Sequence, residues 1–208
     1  MKELKVFIYS IIAGIAIGLG GCAFLSVDNK VVGAAFFVIG LFTICTFGFN
    51  LYTGKVCYVW ENDAMYGINT VLIWAGNLVG CWLTAQLYGL TRISPAIMEK
   101  AAAMVETKFN DSPLSIFILA VFCNLCIYIA VDGFKNNPHE LGKYLALFFG
   151  VMVFIICGFE HVVANMFYIS VAKGWCGYAW LFMLVNTAGN CVGGWIVPLA
   201  KKLVAHCE

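Results

Sequence analysis

Ala75-Gly76-Asn77-Leu78-Val79-Gly80-Cys81-Trp82 returns 113 residues later as Ala188-Gly189-Asn190-Cys191-Val192-Gly193-Gly194-Trp195, with six of the eight positions identical. A second pair of strings, Gly48-Phe49-Asn50 and Gly158-Phe159-Glu160, repeats at an offset of 110. Two independent matches at nearly one offset indicate a duplicated unit. Both pairs lie inside apolar runs. Six such runs stand between the charges: Val6 to Val27, Val31 to Trp60, Ala64 to Leu90, Pro113 to Val131, Tyr144 to Ala172 and Gly174 to Ala200. A bilayer crossing needs about 20 residues of this kind. Each repeat therefore holds three spans, and an odd number obliges the second copy to cross in the opposite sense. The sequence predicts an all-α membrane protein of six transmembrane helices arranged as an inverted 3+3 repeat. Repeat 1 covers about 6–90 and repeat 2 about 113–200, joined by a connection at 91–112 within one transmembrane domain.

Composition agrees. Of 208 residues, 62% are hydrophobic and 11% charged, against roughly 25% charged in soluble domains. The formal net charge of +1 leaves no basic stripe to neutralise phosphates, so nucleic acid is excluded as a partner; the partner is the lipid bilayer. The first run is too long for the apolar part of a cleavable leader and reads as a span. With the N-terminus inside, the inner loops carry Lys2, Lys5, Lys55, Lys135, Lys143, Lys201 and Lys202. The outer loops carry Lys30, Arg92, Lys100, Lys108 and Lys173. That bias favours both termini in the cytoplasm and a multi-pass position in a cell membrane. In the connection, Ser94-Pro95 reads as a helix start, Ser94 capping, of a short helix lying at the membrane surface and ending near Lys108.

The second and fifth runs are about 30 residues each, long for one straight span, and each has polar residues at its middle. They are expected to be broken helices, with the substrate site between them near the midplane. Gly76, Gly80, Gly189, Gly193 and Gly194 read as close helix contacts. Glu160 and His161 are ionisable residues inside an apolar run, where a charge costs at least a few kcal/mol. Glu160, with Asn50 at the matching position, is expected to be structural at the break, its carboxylate capping free N–H groups of the following half-helix. His161 is expected to meet the permeating species.

Gly158-Phe159-Glu160-His161-Val162-Val163-Ala164-Asn165-Met166-Phe167 closely resembles the signature G-F-E-H-x-x-A-N-M of the formate/nitrite transporter family. Leu51-Tyr52-Thr53-Gly54 resembles that family's second-helix break, and Asn124-Leu125 and Gly189-Asn190-x-x-Gly193 also fit. The resemblance runs from about residue 6 to 200. It implies an aquaporin-like subunit, assembly as a homopentamer, and a pore in each subunit for small monovalent anions such as formate, nitrite or hydrosulfide. Carried over by motif, His161 matches the central pore histidine and Thr53 the threonine that faces it. Asn165 is expected to support the histidine, Asn190 to line the substrate path, and Lys108 to attract anions in a vestibule. Leu41, Leu51, Phe37 and Phe154 resemble the apolar constrictions around the histidine. Lys55 departs from the pattern, which usually has a small polar residue there.

A bare carboxylate cannot enter an apolar constriction cheaply; the idealised cost is of order 20 kcal/mol. Half-helix N-termini and a vestibule lysine offset it. The expected mechanism adds a proton: His161 and solvent protons meet the anion, which passes as the neutral acid or paired with imidazolium. The substrates are then a small anion, most readily formate, and a proton. No cofactor and no metal is expected, and the chain is not expected to be an enzyme. Cys123-Asn124-Leu125-Cys126 spells the C-x-x-C of thiol–disulfide enzymes, but it sits in the fourth apolar run. A b-type haem would have only His139 and His206 beside His161, both at membrane edges. A neutral-solute pore stays open as the nearer alternative. The ten cysteines, mostly in apolar runs, are expected to be unpaired packing residues; Cys176 and Cys207 lie near predicted helix ends.

Overall fold

The computed structural model describes residues 2–205; His206 and Cys207 lie outside that range. Helix α1 (Lys2–Leu25) is followed by α2 (Lys30–Phe47). The short α3 (Tyr52–Lys55) continues as a 3-10 turn, Val56–Glu61. Then come α4 (Ala64–Gly89), α5 (Ser94–Phe109), α6 (Pro113–Asn136), α7 (Glu140–Ile156), α8 (Val162–Val171) and α9 (Gly177–Ala205). No strand occurs among the described residues. Five helices are long and apolar enough to cross a membrane: α1, α2, α4, α6 and α9. Two crossings are divided, the second between α2 and α3 with its 3-10 turn and the fifth between α7 and α8.

The packing reproduces the repeat. Helix α1 packs on α4 and α2, as α6 packs on α9 and α7. The half-helices are exchanged: α8 from the second repeat packs on α4 and α1, and the 3-10 turn from the first packs on α9. Glycine makes the tightest contacts possible. A Cβ on Gly80 would lie 2.1 Å from the Ile11 carbonyl oxygen, and one on Gly193 would lie 2.0 Å from that of Val121. Both the glycines and the carbonyls they meet are equivalent pairs in the two halves.

Each break is built alike. Helix α2 ends at Gly48, with φ 71°, and the chain beyond α7 turns at Gly158, also φ 71°. That left-handed conformation suits glycine. The next N–H turns back on the helix just ended: Phe49 donates to the Ile44 carbonyl at 3.0 Å and Phe159 to that of Phe154 at 2.9 Å. The chain then runs extended. Asn50 N–H reaches the Tyr9 carbonyl at 3.4 Å, and Glu160 N–H reaches Leu119 at 3.3 Å. Backbone polar groups at this depth thus find partners inside the protein.

The connecting helix corrects an expectation. Helix α5 is docked on the protein by one apolar face. Ile97, Ala101 and Val105 are buried, and the helix packs against α8, α1 and α9. The cap position is Ile93, with Ser94 already inside the helix and Pro95 in its first turn. Ser94 Oγ turns to Met98 Sδ at 3.2 Å instead of capping. Lys100 ties α5 to the α1–α2 connection through Asp28 at 2.7 Å. That ammonium, by its hydrogen bond first and its charge second, holds the Asp28 carboxyl below its usual range. The nine described cysteines are unpaired.

A histidine and a threonine between two helix breaks

The two half-helices begin close to one another. His161 is the N-cap residue of α8, with extended φ −94° and ψ 113°. Its Nδ1 accepts from the Ala164 N–H at 3.0 Å. With Nδ1 engaged as acceptor, the neutral ring carries its proton on Nε2. Nε2 lies 3.0 Å from Thr53 Oγ1, which therefore accepts from the ring and keeps its own proton free to donate. Thr53 is fully buried and His161 nearly so. The pair joins the halves across both breaks.

Glu160 does not play the expected part. Its carboxylate caps no backbone N–H. One oxygen, Oε2, takes Lys108 Nζ at 2.7 Å and Asn165 Nδ2 at 2.7 Å. Capping falls to His161 because the chain enters α8 extended, which points residue 160 toward α5. Asn165 likewise departs from expectation. Its backbone N–H donates to the His161 carbonyl at 2.9 Å, but its side chain holds Glu160. Lys108 reaches the site because the buried face of α5 seats that helix on α8.

Asn190 closes the break. Its Oδ1 accepts from Val162 N–H at 2.9 Å, and its Nδ2 donates to the carbonyls of Ala120 at 2.8 Å and Glu160 at 2.9 Å. Asn77, at the matching position of the first repeat and without an expected role, does the same for the first break. It accepts from Tyr52 N–H at 2.8 Å and donates to the carbonyls of Ser10 at 2.7 Å and Asn50 at 2.9 Å. The signal for Asn77 was the repeat itself, since it stands where Asn190 stands. Asn50 sits at its break with Nδ2 donating to the Val6 carbonyl at 3.3 Å.

Two cavities approach this centre and share no lining residue. One, about 330 Å³, is lined by His161, Glu160, Lys108, Asn165 and Phe154 among others. The other, about 280 Å³, is lined by Leu41, Leu51, Gly54 and Lys55 among others. Gly48, Phe49, Leu51, Gly54, Lys55 and Tyr58 in the second stand where Gly158, Phe159, His161, Ala164, Asn165 and Tyr168 stand in the first. Leu51 is therefore the first repeat's counterpart of His161. Phe154 stacks on the His161 ring at 5.4 Å and meets Phe37 edge-on at 5.9 Å. Phe37, Leu41, Leu51 and Phe154 are all buried, so apolar side chains flank the Thr53–His161 pair.

A family profile described as Formate/nitrite transporter matches residues 1–201. The chain belongs to the formate/nitrite transporter family. Uncharacterized transporter YrhG of Bacillus subtilis is 31% identical over 181 residues, covering 80% of this chain and 68% of that protein. Formate channel BtFdhC of Bacillus thuringiensis is 28% identical, covering 79% and 69%. Nitrite transporter NirC of Escherichia coli is 25% identical, covering 79% and 67%. In fold, the chain is similar to a solved pentameric formate channel with formate bound, with a TM-score of 0.83 at 22% identity, covering 100% of this chain and 98% of that one. As a formate/nitrite transporter family member the chain is a multi-pass membrane protein of a transporter family, not an enzyme. The C-x-x-C reading falls with that result, and Cys123 is in any case fully buried.

Proposed function

We propose that this protein conducts formate, and small monovalent anions like it, across a cell membrane as a homopentamer with both termini in the cytoplasm. One observation carries the reading. The Thr53 hydroxyl, accepting from His161 Nε2 at 3.0 Å, is left as a hydrogen-bond donor between two cavities and at the start of two half-helices. Such a donor suits an acceptor, and a charge-assisted bond to an anion is stronger than one to a neutral solute. The half-helix N–H groups add partial positive charge. The named formate channels and nitrite transporter among the relatives support the substrate class.

The same geometry favours one form of proton assistance. The neutral ring has its only N–H toward Thr53, so giving it up would leave an imidazolate. A second proton on Nδ1 would displace the Ala164 N–H bond. We therefore assign the proton to solvent. Thr53, oriented by His161, holds the anion while a solvent proton reaches it, and the neutral acid passes Phe37, Phe154, Leu41 and Leu51. Lys108, Asn165, Asn190, Glu160 and Asn50 shape the path and its breaks. A stopped-flow comparison of formate, nitrite, hydrosulfide and glycerol in proteoliposomes tests the reading. Formate flux well above glycerol flux is expected; glycerol passing as fast as the anions would leave a neutral-solute pore. Nitrite or hydrosulfide outrunning formate would move the assignment within the anion class.

A further inference from the structure

The two cavities differ in charge. Around His161, Lys30 and Lys108 are balanced by Asp111 and Glu160. The opposite cavity is lined by Lys55 and Lys135 with no carboxylate among its walls. The repeat explains how. Lys55 stands where Asn165 stands, and the residue matching Glu160 is Asn50, an uncharged amide occupied with the Val6 carbonyl. One half therefore pairs a carboxylate with its neighbours, and the other presents an ammonium without one. Lys135 comes from the last turn of α6 and lies over the Tyr58 ring at 4.5 Å. Lys55 and Lys135 line this same cavity. Asp132, behind Tyr58, is held by Lys201 at 3.2 Å and by Asn136 at 2.8 Å. An anion in the cavity would be attracted by both like charges. A concave site of one charge sign raises local counter-ion concentration and entry rate by roughly tenfold or more.

We propose that Lys55 and Lys135 form a loading site for small monovalent carboxylates and kindred anions in the cavity on the Leu51 side. From there the anion enters the Leu41–Leu51 constriction and reaches Thr53, two residues before Lys55 on the same half-helix. The destination of the anion rests on the transport reading above; the binding site does not. The site makes the pore asymmetric, since anions gather on one face and meet a balanced vestibule on the other.

The test uses the full chain in vesicles of phosphatidylcholine alone, which removes anionic headgroups as competing occupants. Half-saturation for formate flux is compared among wild type, a K55N/K135Q variant and a K55R/K135R variant. The charge-removing variant is expected to raise half-saturation threefold to tenfold, by more than it lowers maximal flux, with a flatter dependence on added salt. The arginine variant is expected to stay near wild type. Half-saturation that does not move in the charge-removing variant, or moves equally in both, overturns the site. Should wild type pass no formate, the transport reading fails by itself. Binding of 13C-formate to the purified protein by NMR then decides: a threefold loss in the charge-removing variant sustains the site, and equal binding overturns it. If the double variant does not insert, the exposed Lys135→Gln alone carries the same comparison.

Discussion

Trp74 donates its indole N–H to the Thr187 hydroxyl at 3.1 Å, and the two residues occupy the same position in their respective repeats. A contact between equivalent positions lies on the axis that relates the halves. For an inverted repeat that axis runs in the plane of the membrane. The Thr53–His161 bond also joins the halves, but between positions that are not equivalent, so this centre is where the symmetry is broken.

Thr53→Val keeps the volume and removes the hydroxyl. It is expected to lower formate flux about tenfold to a hundredfold, in line with the loss of one hydrogen bond to a charged group, while Thr53→Ser stays near wild type. Flux through the valine variant within twofold of wild type would count against the threonine as donor.

Asn190→Ala strips partners from three buried backbone groups. At roughly 1 kcal/mol or more for each, the protein is expected to lose about 3 kcal/mol of stability, and Asn77→Ala a similar amount. Thermal unfolding in detergent measures both. A much smaller loss at Asn77 than at Asn190 would show that the two clips are alike in geometry alone.

Lys108 and Glu160 form a largely buried ion pair. Removing one partner from such a pair costs roughly 3–5 kcal/mol, because the other charge stays buried. Lys108→Met is therefore expected to destabilise more than Lys108→Met combined with Glu160→Gln. A double-mutant cycle read by denaturation checks this; additive losses would sever the link between the two residues.

Gly193→Ala forces a methyl against the Val121 carbonyl, which is backbone and cannot rotate away. Overpacking of this kind costs about 1–3 kcal/mol or more. The variant is expected to express poorly and unfold at lower temperature, as is Gly80→Ala. Wild-type yield from both would mean that α1/α4 and α6/α9 separate more easily than their spacing implies.

The duplication, the six crossings and the two breaks were legible because each left a mark that local chemistry requires. Glycine recurs where backbones touch, and Asn50 and Glu160 interrupt runs that are otherwise apolar. The burial of α5 was less legible. Ile97, Ala101 and Val105 recur at one helical face, but Glu99, Lys100, Glu106 and Lys108 around them gave the segment a surface composition. That His161 and not Glu160 caps α8 could not be read at all. Both are adjacent polar residues at one break, and which one caps depends on the angle at which the chain leaves Gly158. The pairing of Lys108 with Glu160 depended in turn on where α5 docks.

The central pair draws its threonine from the first half and its histidine from the second, and each half-helix beds against the other half. Neither repeat alone could assemble a working conduit. A gene split at the connecting segment would restore activity only if its two products inserted with opposed polarity and found each other. Descent from paired half-size ancestors would have demanded the same antiparallel partnership before fusion made it permanent.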